Sequence, residues 1–283
     1  MLVCLLLLTW GGACSAAAET RSGTFTTSDG VKLHYLEAGT GPAIVFVPGW
    51  TMPAWIWEGQ IQHFSEHYHV IALDPRSQGE SEKAAEGNYV ERRAKDIQEL
   101  IESRKLEPVV LVGWSLAVAE VLSYAEQFGG AHVRGYVLVD GITWEKQDPQ
   151  FVGAMLGMFQ QLHVNRRPFT ERFVRSMYKK PQSEEYIARV IAASLLMPTD
   201  SAIAASLSSV SRADWRPAMA KLDRPVLVMC ETAIQAMTAD PIKKNVPTAQ
   251  VEAFADAGHA LFVDDAERFN ALLESFVKGL PLN

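Results

Sequence analysis

Short apolar runs alternate along the chain with stretches whose apolar positions recur every three or four residues. Residues 43–47 (Ala43, Ile44, Val45, Phe46, Val47) and 108–112 (Pro108, Val109, Val110, Leu111, Val112) have strand length and no polar position. That pattern marks strands buried on both faces. Residues 70–73, 134–141, 225–230 and 250–254 continue the series as strands. Between them, residues 55–66, 91–104 and 116–128 carry helical spacing, and 265–278 forms a final helix. Ahead of this series, residues 23–38 alternate about Asp29-Gly30, a hairpin signal. Strand–helix alternation of this kind predicts an α/β fold built on a mostly parallel, doubly wound sheet.

The rhythm stops between residues 142 and 222. No good strand occurs there, and Met155, Leu156, Met158, Phe159 and Leu162 suggest amphipathic helices. A helical segment inserted between two strands of one sheet is expected to lie over the C-terminal strand ends, where open α/β sheets bind ligands. The expected organisation is a core of residues 19–141 and 223–283 with a helical cap at 142–222. Residues 2–10 form an apolar run too short to span a bilayer, followed by small residues ending Ala16-Ala17-Ala18. We expect a signal peptide cut after Ala18 and hence an exported protein. Cys14 offers a second route, a lipid anchor, although Gly11 stands where an aliphatic residue is usual.

Composition narrows the function. With 283 residues, 48% of them hydrophobic, the chain can bury a full core. A net charge of −7 argues against nucleic acid and anionic membrane surfaces as partners, leaving a small-molecule substrate. Beyond the leader only Cys230 remains, so no internal disulfide is expected, and its apolar strand marks it as a small buried hydrophobe. His63, His67 and His69 form the one metal-like grouping, but nothing beyond Glu66 completes a ligand set. We assign no metal and no cofactor.

The informative stretch is Gly113-Trp114-Ser115-Leu116-Ala117, between the strand ending at Val112 and the helix opening at Leu116. A serine at such a turn is either a simple helix N-cap or a nucleophile lifted above the sheet edge on a sharp elbow. The elbow pattern is G-x-S-x-G, and Ala117 stands at its last position, so a crowded elbow is expected. A serine nucleophile needs a base, and the base an orienting acid. His259, in Ala257-Gly258-His259 between the last strand and the last helix, returns to the same sheet edge. The chain order Ser, acid, His favours His259 as that base.

With these residues in view, the chain resembles the α/β-hydrolase family over nearly all its length after the leader. The matching features are Pro48-Gly49-Trp50, Asp74-Pro75-Arg76-Ser77-Gln78-Gly79-Glu80-Ser81, the Ser115 elbow and the His259 loop. The nearest likeness is to capped serine esterases and the non-haem-haloperoxidase-like branch. Related dehalogenases and epoxide hydrolases carry Asp at the elbow, which Ser115 argues against. The resemblance implies an oxyanion hole from the backbone N–H groups of Trp50 and Leu116. It also implies an acid after the strand at 226–230 or after the strand before it. Asp140 and Glu231 are the two choices, with Asp140 preferred; Asp240 and Asp256 are further ones.

The expected activity is hydrolysis of small to medium carboxylic esters through an acyl-enzyme. Met155, Met158, Phe159 and Leu162 would roof the pocket, and Trp114 with Trp55 or Trp57 would wall it. Carbon–carbon bond hydrolysis, lactone hydrolysis and perhydrolysis share the same triad. A non-catalytic small-molecule receptor of the same fold is the non-enzymatic reading.

Overall fold

A computed structural model describes residues 18–145 and 149–281. The leader read in residues 1–18 lies outside the described residues except for Ala18. The described chain forms a sheet of eight strands: β1 (Arg21–Thr26), β2 (Lys32–Ala38), β3 (Ala43–Val47), β4 (His69–Leu73), β5 (Val109–Trp114), β6 (Val133–Val139), β7 (Val226–Glu231) and β8 (Gln250–Phe254). Their order across the sheet is β1-β2-β4-β3-β5-β6-β7-β8. β1 and β2 pair antiparallel about the Asp29-Gly30 turn, and β2 is antiparallel to β4. Every other pairing is parallel.

Alternation along the strands sends successive side chains to opposite layers. Val45, Val109 and Leu111 face α2 (Val90–Arg104) and α3 (Leu116–Phe128), while Ile44, Phe46, Val110 and Val112 face α1 (Glu58–Phe64) and the C-terminal part of the chain. These strand side chains are essentially free of solvent. Burying each Val, Ile or Phe in this way is worth about 1.5–3 kcal/mol, which explains why polar residues are missing from β3 and from β5 before the elbow.

Between β6 and β7 the described residues form five helices: α4 (Pro149–Val164), α5 (Arg166–Ser176), α6 (Glu184–Leu196), α7 (Thr199–Val210) and the short α8 (Arg216–Met219). Leu162, Met197, Ala202 and Ala205 from this layer make a small core of their own around Trp50. The remaining helices are α9 (Gln235–Asn245), α10 (Leu261–Asp264) and α11 (Ala266–Gly279). Two local features differ from the pattern-based reading. The helix expected over 55–66 divides into a 3-10 turn at Ala54–Trp57 and then α1. Residues 235–245, for which no element was expected, form α9 with Pro241 inside it. Among the described residues no single helix is long and apolar enough to cross a membrane.

Candidate active site

Ser115 stands at the junction of β5 and α3 with φ 58° and ψ −118°. A positive φ is uncommon for a residue with a side chain and persists only where surroundings hold it. Here the Ser115 N–H donates to the Val139 carbonyl at 2.8 Å, and the Val118 N–H donates to the Ser115 carbonyl at 3.0 Å. Three glycines leave the room. A Cβ at Gly113 would lie 2.6 Å from the Ala117 carbonyl oxygen, and one at Gly141 2.6 Å from the Ser115 carbonyl oxygen. One at Gly49 would lie 2.9 Å from the Ser115 Cβ. The tight approach of helix to strand therefore falls on Gly113, and Ala117 is a fully buried core residue.

His259 occupies the loop between β8 and α10, and its Nε2 lies 2.9 Å from the Ser115 Oγ. Its Nδ1 lies 2.7 Å from the Asp140 Oδ2. The Asp140 side chain is fully buried, so its remaining oxygen needs a donor. The Glu231 N–H supplies it, donating to Oδ1 at 2.7 Å. A carboxylate only accepts, which puts the neutral imidazole proton on Nδ1 and leaves Nε2 to accept from the serine hydroxyl. Of the two acids weighed from sequence, Asp140 meets the imidazole. Glu231 borders the adjoining cavity, and burial first and then the Asp140 charge push its carboxyl above the ordinary glutamate range. Asp240 is exposed on α9, and Asp256 is exposed near Lys179.

The histidine loop is held by three contacts. The Trp114 indole N–H donates to the His259 carbonyl at 2.9 Å, the Gly258 N–H donates to Asp264 at 2.9 Å, and the Ala260 N–H donates to the Met177 carbonyl at 2.9 Å. Opposite them lies the 49–52 turn. Leu116 opens α3, where a first-turn N–H has no intrahelical acceptor. Neither its amide nor that of Trp50 donates to a backbone or side-chain acceptor among the described residues, and both residues border the cavity.

One support of this turn comes from within the 74–81 motif, which does not mark it as a partner of the turn. Gln78 is completely buried, and its Nε2 donates to the carbonyls of Gly49 at 3.0 Å and Met52 at 2.7 Å. The Trp50 indole also donates to the Ala202 carbonyl of α7 at 2.7 Å, tying the turn to the inserted helices.

Ser115, His259 and Asp140 open on a cavity of about 360 Å³ bordered by Trp144, Phe151, Met155, Met158, Phe173 and Met177, with Ser206, Ser209 and Glu231 as polar members. Met155 and Met158, three apart on α4, share the face turned to it. Phe159 does not line the cavity. One position further round the helix, it is buried against neighbouring structure instead. Trp114 is also absent from the wall: it packs beneath His259, ring centroids 5.1 Å apart, in a layer with Trp57 and Phe262. Leu162 belongs to the small core around Trp50. Trp57 stacks on Phe262 at 3.9 Å in the main core, and Trp55 lies under the Arg189 guanidinium at 3.6 Å. The aromatic wall comes from Trp144, Phe151 and Phe173, which the sequence did not distinguish from core residues.

A model of the Alpha/beta hydrolase family matches residues 44–272. The chain belongs to this family. Among relatives of this α/β hydrolase, a non-heme chloroperoxidase of Streptomyces lividans is 27% identical over 278 residues, covering 91% of this chain and 100% of that protein. A pimeloyl-(acyl-carrier protein) methyl ester esterase of Nitrosomonas europaea is 25% identical over 255 residues, covering 84% of this chain and 96% of that protein. Solved structures that share the fold include two named for an enzyme class. An esterase from Exiguobacterium antarcticum matches with a TM-score of 0.84 at 23% identity, covering 90% of this chain and 99% of that one. A bromoperoxidase from Bacillus anthracis matches with a TM-score of 0.85 at 20% identity, covering 91% and 100%. The proteins it is similar to thus carry both esterase and haloperoxidase names.

Proposed function

We propose that this α/β hydrolase is a serine esterase acting on small to medium carboxylic esters through an acyl-enzyme. The observation that carries the reading is the unbroken hydrogen-bonded line from Ser115 Oγ through His259 to Asp140, opening on a largely apolar cavity. As Ser115 Oγ attacks the ester carbonyl, His259 Nε2 takes the hydroxyl proton and Asp140 stabilises the imidazolium. The carbonyl oxygen becomes an oxyanion facing the unpaired amides of Trp50 and Leu116. Such donors serve the transition state more than the ground state, each worth about a hundredfold to a thousandfold in rate. Collapse expels the alcohol, which takes the proton from His259. Water then gives a proton to the same nitrogen as it attacks the acyl carbon, and the released Ser115 oxygen takes that proton back.

The inserted helices act as the cap in this reading, supplying Met155, Met158 and Phe173 to the pocket. The name of the Streptomyces relative favours a second use of the same acyl-enzyme. Hydrogen peroxide replaces water as the attacking group, giving a peracid and free Ser115. Export is part of the proposal too, and terminal sequencing of the cell-free protein would then begin at Glu19.

A fluorophosphonate probe tests the central claim. The wild-type protein is expected to label at Ser115, with labelling and p-nitrophenyl ester turnover lost in Ser115→Ala and His259→Ala. Full turnover by Ser115→Ala overturns the assignment, and a wild type that neither labels nor turns over is the receptor outcome.

A further inference from the structure

Among the described residues, Glu231 is the one charged side chain bordering the cavity that the Ser115–His259–Asp140 line does not use. Its backbone N–H is committed to Asp140, but its carboxylate has no hydrogen bond or ion pair among the described residues. The residues bordering the cavity include Trp144, Phe151, Phe173 and three methionines. Partial burial strips water from the carboxylate, and Asp140 beside it adds a second negative charge; together they push its carboxyl above the ordinary glutamate range despite the pull of His259 and Lys179. A bound cation relieves both burdens, and a bound anion adds to them. Aromatic side chains border the same cavity, and an aromatic ring attracts a cation over its face through its quadrupole.

We infer that Glu231 selects the substrate by charge: the site takes esters that carry an ammonium or similar cationic group near the scissile bond and refuses those that carry a second, ionised carboxylate. The inference rests on the esterase reading only for where the scissile bond sits. A unit charge near Glu231 in a partly desolvated site corresponds to about tenfold or more in affinity.

Two measurements test it, one needing no turnover. Binding of choline and of its neutral isostere 3,3-dimethylbutanol is measured by calorimetry on the full chain, in wild type, Glu231→Gln and Glu231→Asp. In parallel, kcat/KM is compared for acetylcholine, 3,3-dimethylbutyl acetate and 4-acetoxybutanoate. The wild type is expected to favour each cation over its isostere by about tenfold and to discriminate as strongly against the anion. Glu231→Gln should bring these ratios close to one, and Glu231→Asp should preserve their direction. A wild type without charge preference overturns the inference, and so does a preference that survives in Glu231→Gln. Should Glu231→Gln fail to fold, the wild-type ratios and Glu231→Asp still decide. A Glu231-dependent choline preference in a protein that turns over no ester would leave the charge selection standing and remove the esterase reading.

Discussion

Arg93 Nη2 donates to Gln78 Oε1 at 2.7 Å, and this single contact fixes which way the Gln78 amide faces. Arginine can only donate, so the oxygen must meet it and the NH2 must point at the 49–52 turn. Arg93 is itself set against Glu120, Nε to Oε1 2.6 Å, at an angle outside hydrogen-bond geometry. A buried polar line thus runs from α3 through α2 to the turn that carries the Trp50 amide. Replacing Gln78 with Leu strands two carbonyls and an arginine donor, each costing about 1–3 kcal/mol. We predict a lowered melting temperature and, in the fraction that folds, a kcat reduced by about tenfold to a hundredfold with KM changed far less. Steady-state kinetics on a p-nitrophenyl ester alongside thermal melting checks both. An unchanged kcat in a well-folded variant would remove the positioning role.

Gly113 is where the elbow has no slack. Alanine there drives its methyl into the Ala117 carbonyl and the Val121 side chain, at 2.6 and 2.7 Å. Helix α3 must lift from β5, carrying Ser115 with it. The expected outcome for Gly113→Ala is a loss of about 1–3 kcal/mol in denaturant unfolding together with slower fluorophosphonate labelling. Ala117→Gly removes only a buried methyl and some helix propensity, so we expect about 1 kcal/mol of destabilisation there.

Asp140→Asn keeps the shape of the acid and removes its charge. The amide NH2 then faces either the Glu231 N–H or the imidazole, and the tautomer with Nε2 free to accept is no longer enforced. A fall of about 10⁴-fold in kcat is expected, with the fold intact by circular dichroism. Glu231→Gln should fall far short of that loss, which separates the two acids by rate alone.

Stability at low pH should respond to Asp29. Burial raises its pKa, but the bonds from Arg76 and Thr27 and the charges of Arg76 and Arg92 outweigh that and hold it at about 2 against an ordinary 3.8. Because the folded value is depressed, the contribution is fully present above pH 3.8 and is lost as pH falls through about 2. Asp29→Asn is therefore predicted to be less stable than wild type at pH 6, with the gap closing between pH 4 and pH 2. Urea unfolding at matched pH measures the gap, and a difference independent of pH would refute the ion-pair origin.

Much of this architecture is legible in the residue pattern because burial on both faces leaves little choice of side chain. The run Ala43-Ile44-Val45-Phe46-Val47 can be little else than an inner strand, and the same holds for β5. Ser115 and His259 are legible from the turns on which they lie and from their order. The acid is harder, since Asp140 and Glu231 end adjacent parallel strands at the same edge. Which side chain turns toward the imidazole depends on a positive φ at Asp140 and on the backbone of β7, neither of which has a spacing signature. Trp114 illustrates another limit. Its indole turns down to the His259 carbonyl across 145 positions of chain, and a local pattern does not carry that partner. Gln78 lies inside a recognisable motif, yet its amide acts on a turn 26 to 29 residues away.

Asp140 is anchored by the main chain of position 231, and the side chain of that position takes no part in the anchor. Nineteen of the twenty amino acids offer the same amide hydrogen, and proline alone does not. A lineage carrying this scaffold can therefore exchange acid, amide or hydrophobe at 231 and revise what it recognises while the anchor under Asp140 persists.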